Sequence, residues 1–296
     1  MDEHDWLAKR FEEHRPHLRA VAYRMLGSLA EADDAVQGTW LRLGRADPGG
    51  IHNLGGWLTT LVARECLDML RARTSRREEP LGVRLPDPIV SPQDGDGDGP
   101  EQQVLLAEGV GLALLVVLDT LAPAERLAFV LHDMFAVPYS EIGPLVGRSP
   151  AAAKMLASRA RRRVQGAAVP DADLARQREV VEAFFAAARD GDFAALLAVL
   201  DPDVVVRADR AAPTGVLVVR GAAAAAEQVL TIGGFSRLAR LAQPALVNGA
   251  AGVVMAAGGR PLAVVGFTIR HGKIAEIDIF ADAARLRRLD LTVLDG

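Results

Sequence analysis

Between Ile142 and Pro170 the chain carries six Lys or Arg residues and no Asp or Glu, while the whole chain is formally −4. Everything outside that window therefore sums to −10. A concentrated positive stretch in an acidic protein is the footprint of an element that meets phosphates. The chemistry these residues offer is recognition rather than bond-making. Ser149, Ala151, Ala152 and Lys154 stand at the start of the stretch, where a helix entering a major groove presents side chains to base edges. Ser158 follows on the polar side, and Arg159, Arg161, Arg162 and Arg163 are placed for backbone phosphates.

Those side chains need a helix and something to aim it. Ser149 before Pro150 reads as an N-cap followed by Pro at the first helical position. Ala153, Leu156, Ala157, Ala160 and Val164 make an apolar stripe at helical spacing, opposite Lys154, Ser158, Arg161 and Arg162. Upstream, Pro138-Tyr139 opens a short amphipathic segment with Ile142, Leu145 and Val146 as its buried face, and Gly147 supplies the tight turn. The pattern is a helix-turn-helix. Pro144 is expected to remove one hydrogen bond from the first helix and kink it. A solvated basic helix end that merely complements its own dipole does not account for the cap, the turn glycine and the preceding amphipathic helix together.

Nothing comparable points to catalysis. Cys66, the single cysteine, lies among leucines with no paired His, so it reads as a buried apolar residue. One cysteine also excludes a disulfide framework within the chain and fits a reducing compartment. DGDGDG at 94–99 places Asp94, Asp96, Asp98 and Gly99 as at the start of a calcium loop, but Leu105 holds the position of the bidentate Glu. The stretch reads as an acidic linker. In the last segment Asp209, Glu276 and Asp278 are the acids available, and His271 is the one His, on a turn. No acid–base pair emerges from them. No catalytic residue, cofactor or metal ligand is assigned.

The chain has 296 residues, half of them apolar, which allows two or three domains. Its charged start, MDEHDWLAKRFEEHR, has no apolar signal core, and no run is long enough to span a bilayer. The expectation is a soluble, cytoplasmic protein with no membrane association.

Residues 5–73 read as helical. Phe11, Leu18, Val21, Ala22, Met25 and Leu26 recur at helical spacing before Gly27. Ala32, Ala35, Val36, Trp40, Leu41 and Leu43 form the next apolar face, with Glu31, Asp33 and Asp34 in the first turn. Leu61, Val62, Cys66, Leu67 and Leu70 line a third helix that ends in arginines. Residues 74–101 are a linker in which Arg84-Leu85-Pro86-Asp87-Pro88 forms a rigid extended piece. Residues 102–168 hold the helix-turn-helix, led in by a helix from Glu101 to Leu118. From 174 to 296 the character changes to two helices, then β-rich runs at 204–207, 216–219, 245–255, 262–270 and 274–280, with a helix at 221–231. That order predicts an α+β domain with an antiparallel meander.

The stretch TLAPAERLAFVLHDMFAVPYSEIGPLVGRSPAAAKMLASRARRRV resembles region 4 of an extracytoplasmic-function (ECF) sigma factor, which in that family reads the −35 promoter element. The family usually has Ala-Glu where this chain has Gly143-Pro144. EADDAVQGTWLRL resembles the polymerase-binding helix of sigma region 2, with Gly38 where the family usually has Glu. GWLTTLVARECLDMLRAR resembles the helix that opens and reads the −10 element. By position, the resemblance implies that Asp33, Asp34, Gln37, Trp40, Leu41 and Arg42 face or support the polymerase clamp. It implies that Trp57, Arg64, Asp68, Arg71 and Arg73 lie near promoter DNA. FFAAARDGDFAALLAVLDPDVVV and FTIRHGKIAEIDIFADAARLRRL resemble the opening and close of the NTF2-like, SnoaL-type cone. ECF sigma factors with such an extension carry Trp-Leu-Pro-Glu-Pro in the linker and Asp-Gly-Gly-Gly-Lys in the extension. Here Leu85, Pro86, Asp87 and Pro88 match the first, and Asp209 alone matches the second.

The implied architecture is multidomain: two all-α sigma domains, a region 2 helical bundle and a region 4 helix-turn-helix, followed by an α+β NTF2-like domain. The implied function is that of an alternative sigma factor, not an enzyme. Its partners would be core RNA polymerase and promoter DNA, double-stranded and melted. Its C-terminal domain would modulate activity, with a small apolar ligand as a further partner it could take. Two other readings compete. A ligand-responsive helix-turn-helix regulator leaves the first 73 residues without a role. A SnoaL-like cyclase or isomerase lacks a recognisable acid–base pair.

Overall fold

The computed structural model describes residues 3–45, 53–76, 85–93, 111–165, 170–209, 216–231, 235–289 and 291. The calcium-like stretch at 94–99, Arg84 and most of the helix expected from Glu101 fall outside them. The chain forms two compact units, one of residues 1–80 with 117–167 and the other of residues 81–116 with 168–296.

In the first unit α1 (Glu3–Leu26), α2 (Leu29–Leu43) and α3 (Leu54–Arg76) pack on one another. Gly27 ends α1 at φ 68°, a conformation natural to glycine. The buried faces are those of the 3.6-residue pattern: Phe11, Leu18, Val21 and Met25 on α1, Ala32, Ala35 and Val36 on α2, and Leu58, Val62, Cys66 and Leu67 on α3. Leu41 departs from the expected apolar face and is 57% exposed. Burial pushes the Cys66 thiol well above the usual thiol range, which leaves it inert.

After α4 (Leu112–Asp119) come α5 (Pro123–Phe129), continued by a π-helical turn at Val130–Met134, then α6 (Tyr139–Val146) and α7 (Pro150–Val164). Helix α6 runs across Pro144, the residue expected to cost it one hydrogen bond and kink it. Gly143 beside it is needed: a Cβ there would come within 2.8 Å of the Arg148 carbonyl oxygen. Gly147 follows in the left-handed conformation at φ 66°.

The second unit holds α8 (Leu174–Asp190), α9 (Phe193–Val199), α10 (Ala222–Thr231) and the short α11 (Phe235–Leu238) and α12 (Ala283–Leu286). Its strands are β1 (Val90–Pro92), β2 (Leu200–Asp209), β3 (Val216–Arg220), β4 (Ala242–Val247), β5 (Ala250–Ala257), β6 (Arg260–Arg270) and β7 (Lys273–Phe280). They form one sheet in the order β1-β4-β5-β6-β7-β2-β3. One expectation is corrected: the run at 245–255 is two strands turned at Asn248-Gly249. The antiparallel meander expected after the helix at 221–231 is β4 to β7. The sheet as a whole is mixed, because β2 pairs parallel with β7.

Alternation along the strands gives the sheet two buried faces. Val253, Val265, Phe267 and Ile277 meet Val181, Phe184, Phe185 and Leu196 of the helices on one side. On the other, Val254, Val264 and Phe280 meet Leu85, Val90, Leu112, Val116 and Leu286. The linker is thus part of the second unit's core. Its strand β1 extends the sheet with Val90 opposite Val247.

Candidate nucleic-acid interface

The helix-turn-helix is built as its sequence requires. Ser149 caps α7, its hydroxyl accepting from the Ala152 amide at 3.2 Å. Ala153, Ala157 and Ala160 are buried. Their small size lets α7 lie close against α5 and α6. Ala151, Lys154, Ser158, Arg159, Arg162 and Arg163 are exposed, and Ala152 is half-buried.

Arg161 is held inside the protein's own surface. Its Nε donates to Asp133 at 2.6 Å and its Nη2 to the Tyr139 hydroxyl at 2.7 Å. The Asp133 hydrogen bond is the main reason its guanidinium sits above its ordinary range. Tyr139 in turn stacks on His132, with ring centroids 3.9 Å apart. Arg161 therefore fastens α7 to the π-turn. Arg163 reaches Glu125 at 3.4 Å but keeps more than half its side chain in solvent.

Sequence reasoning passed over Met155. It is 60% exposed. It follows Ala151 by four residues and precedes Ser158 by three, so all three share one outward stripe. Methionine is ordinarily read as core, but its angular position on α7 carried the contrary signal.

On α3, Arg64, Asp68 and Arg71 are exposed, and Trp57 half-buried. Spacings of seven, four and three put these four on one face. Arg73 points elsewhere and pairs with Glu31 of α2. On α2 Asp33, Asp34, Gln37, Leu41 and Arg42 are exposed. Trp40 packs on Phe11, ring centroids 5.1 Å apart. Arg42 pairs with Glu65 of α3 at 2.6 Å, and Asp33 with Arg19 of α1 at 2.6 Å.

The acids of the second unit do structural work. Arg207 bridges Glu276 at 2.8 Å and Asp278 at 3.0 Å. Burial drives the Asp278 carboxyl up to about 6, against the opposing pull of Arg207. His271 sits exposed in the β6–β7 turn at φ 54°. Its amide and that of Gly272 donate to Asp171 at 3.0 and 2.9 Å.

Asp87 and Asp209 are brought to one residue, Arg285 of the segment α12. Its Nε donates to Asp87 at 2.9 Å, Nη1 to Asp209 at 3.1 Å and Nη2 to the Leu85 carbonyl at 2.6 Å. The guanidinium also lies over the Phe280 ring, 4.9 Å from its centroid. Asp209 further accepts from the Asp282 amide at 3.0 Å. Pro86 and Pro88 are buried beside Leu85.

The Sigma-70 region 2 family profile matches residues 10–76, and that of Sigma-70, region 4 matches residues 111–164. The ECF RNA polymerase sigma factor SigJ of Mycobacterium tuberculosis is 40% identical over 282 residues, covering 90% of this chain and 89% of SigJ. The chain belongs to the ECF sigma factors. A probable ECF sigma factor, SigI, of the same organism is 36% identical over 292 residues, 97% of each chain. The crystal structure of M. tuberculosis SigJ superposes with a TM-score of 0.77 at 37% identity, covering 94% of this chain and 97% of that one. As an ECF sigma factor the protein is a non-enzymatic transcription factor that directs initiation, binding core RNA polymerase and promoter DNA. Its helical regions 2 and 4 precede an α+β NTF2-like domain. Among the described residues no helix is long and apolar enough to cross a membrane.

Proposed function

We propose that this ECF sigma factor holds core polymerase with the exposed face of α2 around Asp34, Gln37 and Leu41, with Asp33 at its edge. The Trp57–Arg64–Asp68–Arg71 face of α3 then meets the −10 element. The α7 face from Ala151 to Arg163 meets the −35 element. Strand separation is driven by binding energy to exposed bases and phosphates. Each neutralised phosphate contributes about 0.9 to the log–log salt slope. Because the chain is acidic overall, isolated protein binds free promoter weakly and polymerase supplies the rest.

The C-terminal domain modulates that activity through the linker. The observation that supports this is Arg285, which joins linker residues Leu85 and Asp87 to Asp209 of the sheet. Removing Arg285 frees the linker at one point and leaves the domain's core in place. Run-off transcription with core polymerase tests it, comparing the full chain, Arg285→Met, a chain ending at residue 282 and one ending at residue 170. Arg285→Met should shift output, and the 282 truncation, which also removes the buried Leu286, should shift it further in the same direction. The 170 truncation, which removes the linker's partner sheet altogether, should differ from both. Equal output from all four would overturn the modulatory role. Absence of any transcript would overturn the interface assignments.

A further inference from the structure

Along α8 and the β4–β5 end of the sheet runs a groove of about 470 Å³, the size of a small-molecule site. Its floor is apolar, made by the buried Val181, Phe185 and Val253. Small residues, among them Ala186 and Ala242, leave it open.

Of the two arginines that line the groove, Arg189 is exposed at the rim and Arg178 is set deeper. Arg178 is half-buried. Its Nη2 donates to the neutral Gln93 carbonyl at 2.9 Å, and it forms no ion pair among the described residues. Its Nε is buried and makes no hydrogen bond among them. A buried donor on a cation is costly to leave without an acceptor. The acceptor that fits a guanidinium fork is a carboxylate. At the rim Glu179, Glu182 and Arg189 are exposed, so the four charged side chains of the groove sum to zero. A single negative charge on Arg178 suits that balance better than a polyanion, which the two carboxylates oppose.

We propose that this groove binds a small monocarboxylic acid with an apolar or aromatic body, its carboxylate on Arg178 and its body on Val181, Phe185 and Val253. The inference rests on the proposed modulatory role of the C-terminal domain and gives it an input. Gln93 directly follows β1, so the residue that reads the carboxylate also holds the end of the linker strand. Occupancy is thereby felt in the linker.

The test uses the full chain with 2-naphthoate as probe, and 2-naphthalenemethanol and inorganic phosphate as comparisons, followed by titration calorimetry. Naphthoate should bind about tenfold or more tightly than the alcohol, the worth of a charge-assisted pair. Phosphate should bind weakly and not displace it. Arg178→Gln should lose most of the naphthoate preference and Arg178→Lys keep part of it. Ala186→Trp, which fills the groove and leaves Arg178 in place, should block both naphthalene compounds. Hydrogen exchange in residues 85–93 should slow when naphthoate is bound. Equal binding of acid and alcohol, undiminished binding by Arg178→Gln or Ala186→Trp, dominance of phosphate, or no binding at millimolar probe would each overturn the site. Unchanged exchange in 85–93 overturns its link to the linker. Run-off transcription on the same preparations keeps the outcomes apart: transcripts without probe binding sink this inference alone, whereas loss of transcripts strikes the interface assignments.

Discussion

The Nε of Arg126, on α5, donates to the main-chain carbonyl of Arg24, on α1, at 3.2 Å, in a site that leaves Arg126 2% exposed. The same guanidinium pairs with Asp119 at 3.0 Å. Beside it the Phe135 ring lies between His17 and the Arg24 guanidinium, 5.2 Å from each. Region 4 is thus fastened to region 2 within one compact unit. A globular unit of that size has a radius of gyration of about 14 Å. The −10 and −35 elements, about 25 base pairs apart by name, are separated by roughly 85 Å at 3.4 Å per step. For the proposed −10 and −35 contacts to be made at once, the closed unit must open.

Phe135→Ala should favour that opening, since the ring is half-buried and its loss removes a cation–π contact of about 1 kcal/mol. Small-angle scattering should report a larger free chain, and core polymerase should bind it several-fold more tightly. An unchanged radius with unchanged affinity would sink the idea. Arg126→Met is a harsher change. It strands Asp119 and should cost about 3 kcal/mol or more of stability, read as a lower unfolding midpoint.

Gly38 stands inside α2, and an added Cβ would meet the Glu65 side chain at 3.4 Å, ordinary contact with a flexible neighbour. Gly38→Ala should therefore stabilise the first unit by about 0.5–1 kcal/mol, the helix-propensity difference. Gly38→Glu, the residue usual in the family, would bring a second carboxylate beside Glu65 and compete for Arg42. Thermal unfolding of the pair should give opposite signs. Two variants of equal stability would contradict this account of the site.

Helical content was legible because its signals are local: the Ser149 cap, Gly147 and the alanine stripe of α7 all lie within a few turns of one another. Leu41 was ambiguous because an apolar residue at the edge of an amphipathic stripe can face either way. The Asn248-Gly249 turn was legible in principle, as Asn-Gly is a hairpin signal, but an unbroken apolar run hid it. Two features had no local signal. The parallel pairing of β2 with β7 and the three-residue β1 depend on partners far along the chain. Arg285 looked like any surface arginine of a helix end, since its role exists only once residues 85–87, 209 and 280 converge on it.

Asp87 and Arg285 form the one contact in that convergence that joins linker to α12 by side chains alone. A double-mutant cycle of Asp87→Asn and Arg285→Met should return a coupling of about 1–3 kcal/mol. Both side chains are more than four-fifths buried, so solvent screens them little. Additive losses would show that the linker is held by Leu85 and β1 without the ion pair.

Met155 should contribute to promoter choice. An exposed apolar side chain on the groove face of a recognition helix matches the C5-methyl of thymine. Replacing single thymines of a selected −35 element by uracil removes only that methyl. At one position this should weaken holoenzyme binding about fourfold, the worth of burying one carbon group. Met155→Ser should be indifferent to the same replacement. If no thymine-to-uracil change affects the wild type, Met155 reads no base.

The Asp278 carboxyl contributes a pH dependence opposite to that of most carboxylates. Burial raises it to about 6 in the folded chain, and it returns to the ordinary carboxylate range on unfolding. Between roughly pH 4 and 6 the native state therefore holds a proton that the unfolded state has released. Stability from this group is greatest below that window and is lost as pH rises through it. Asp278→Asn keeps the shape and, with Glu276 still paired to Arg207, removes the titration. The wild type should gain on the variant as pH falls from 7 to 5, by at most about 1.4 kcal/mol per unit. Denaturant unfolding at intervals across that range measures the difference. A constant difference would mean that Arg207 keeps Asp278 ionised throughout, and that the ion pair outweighs the burial.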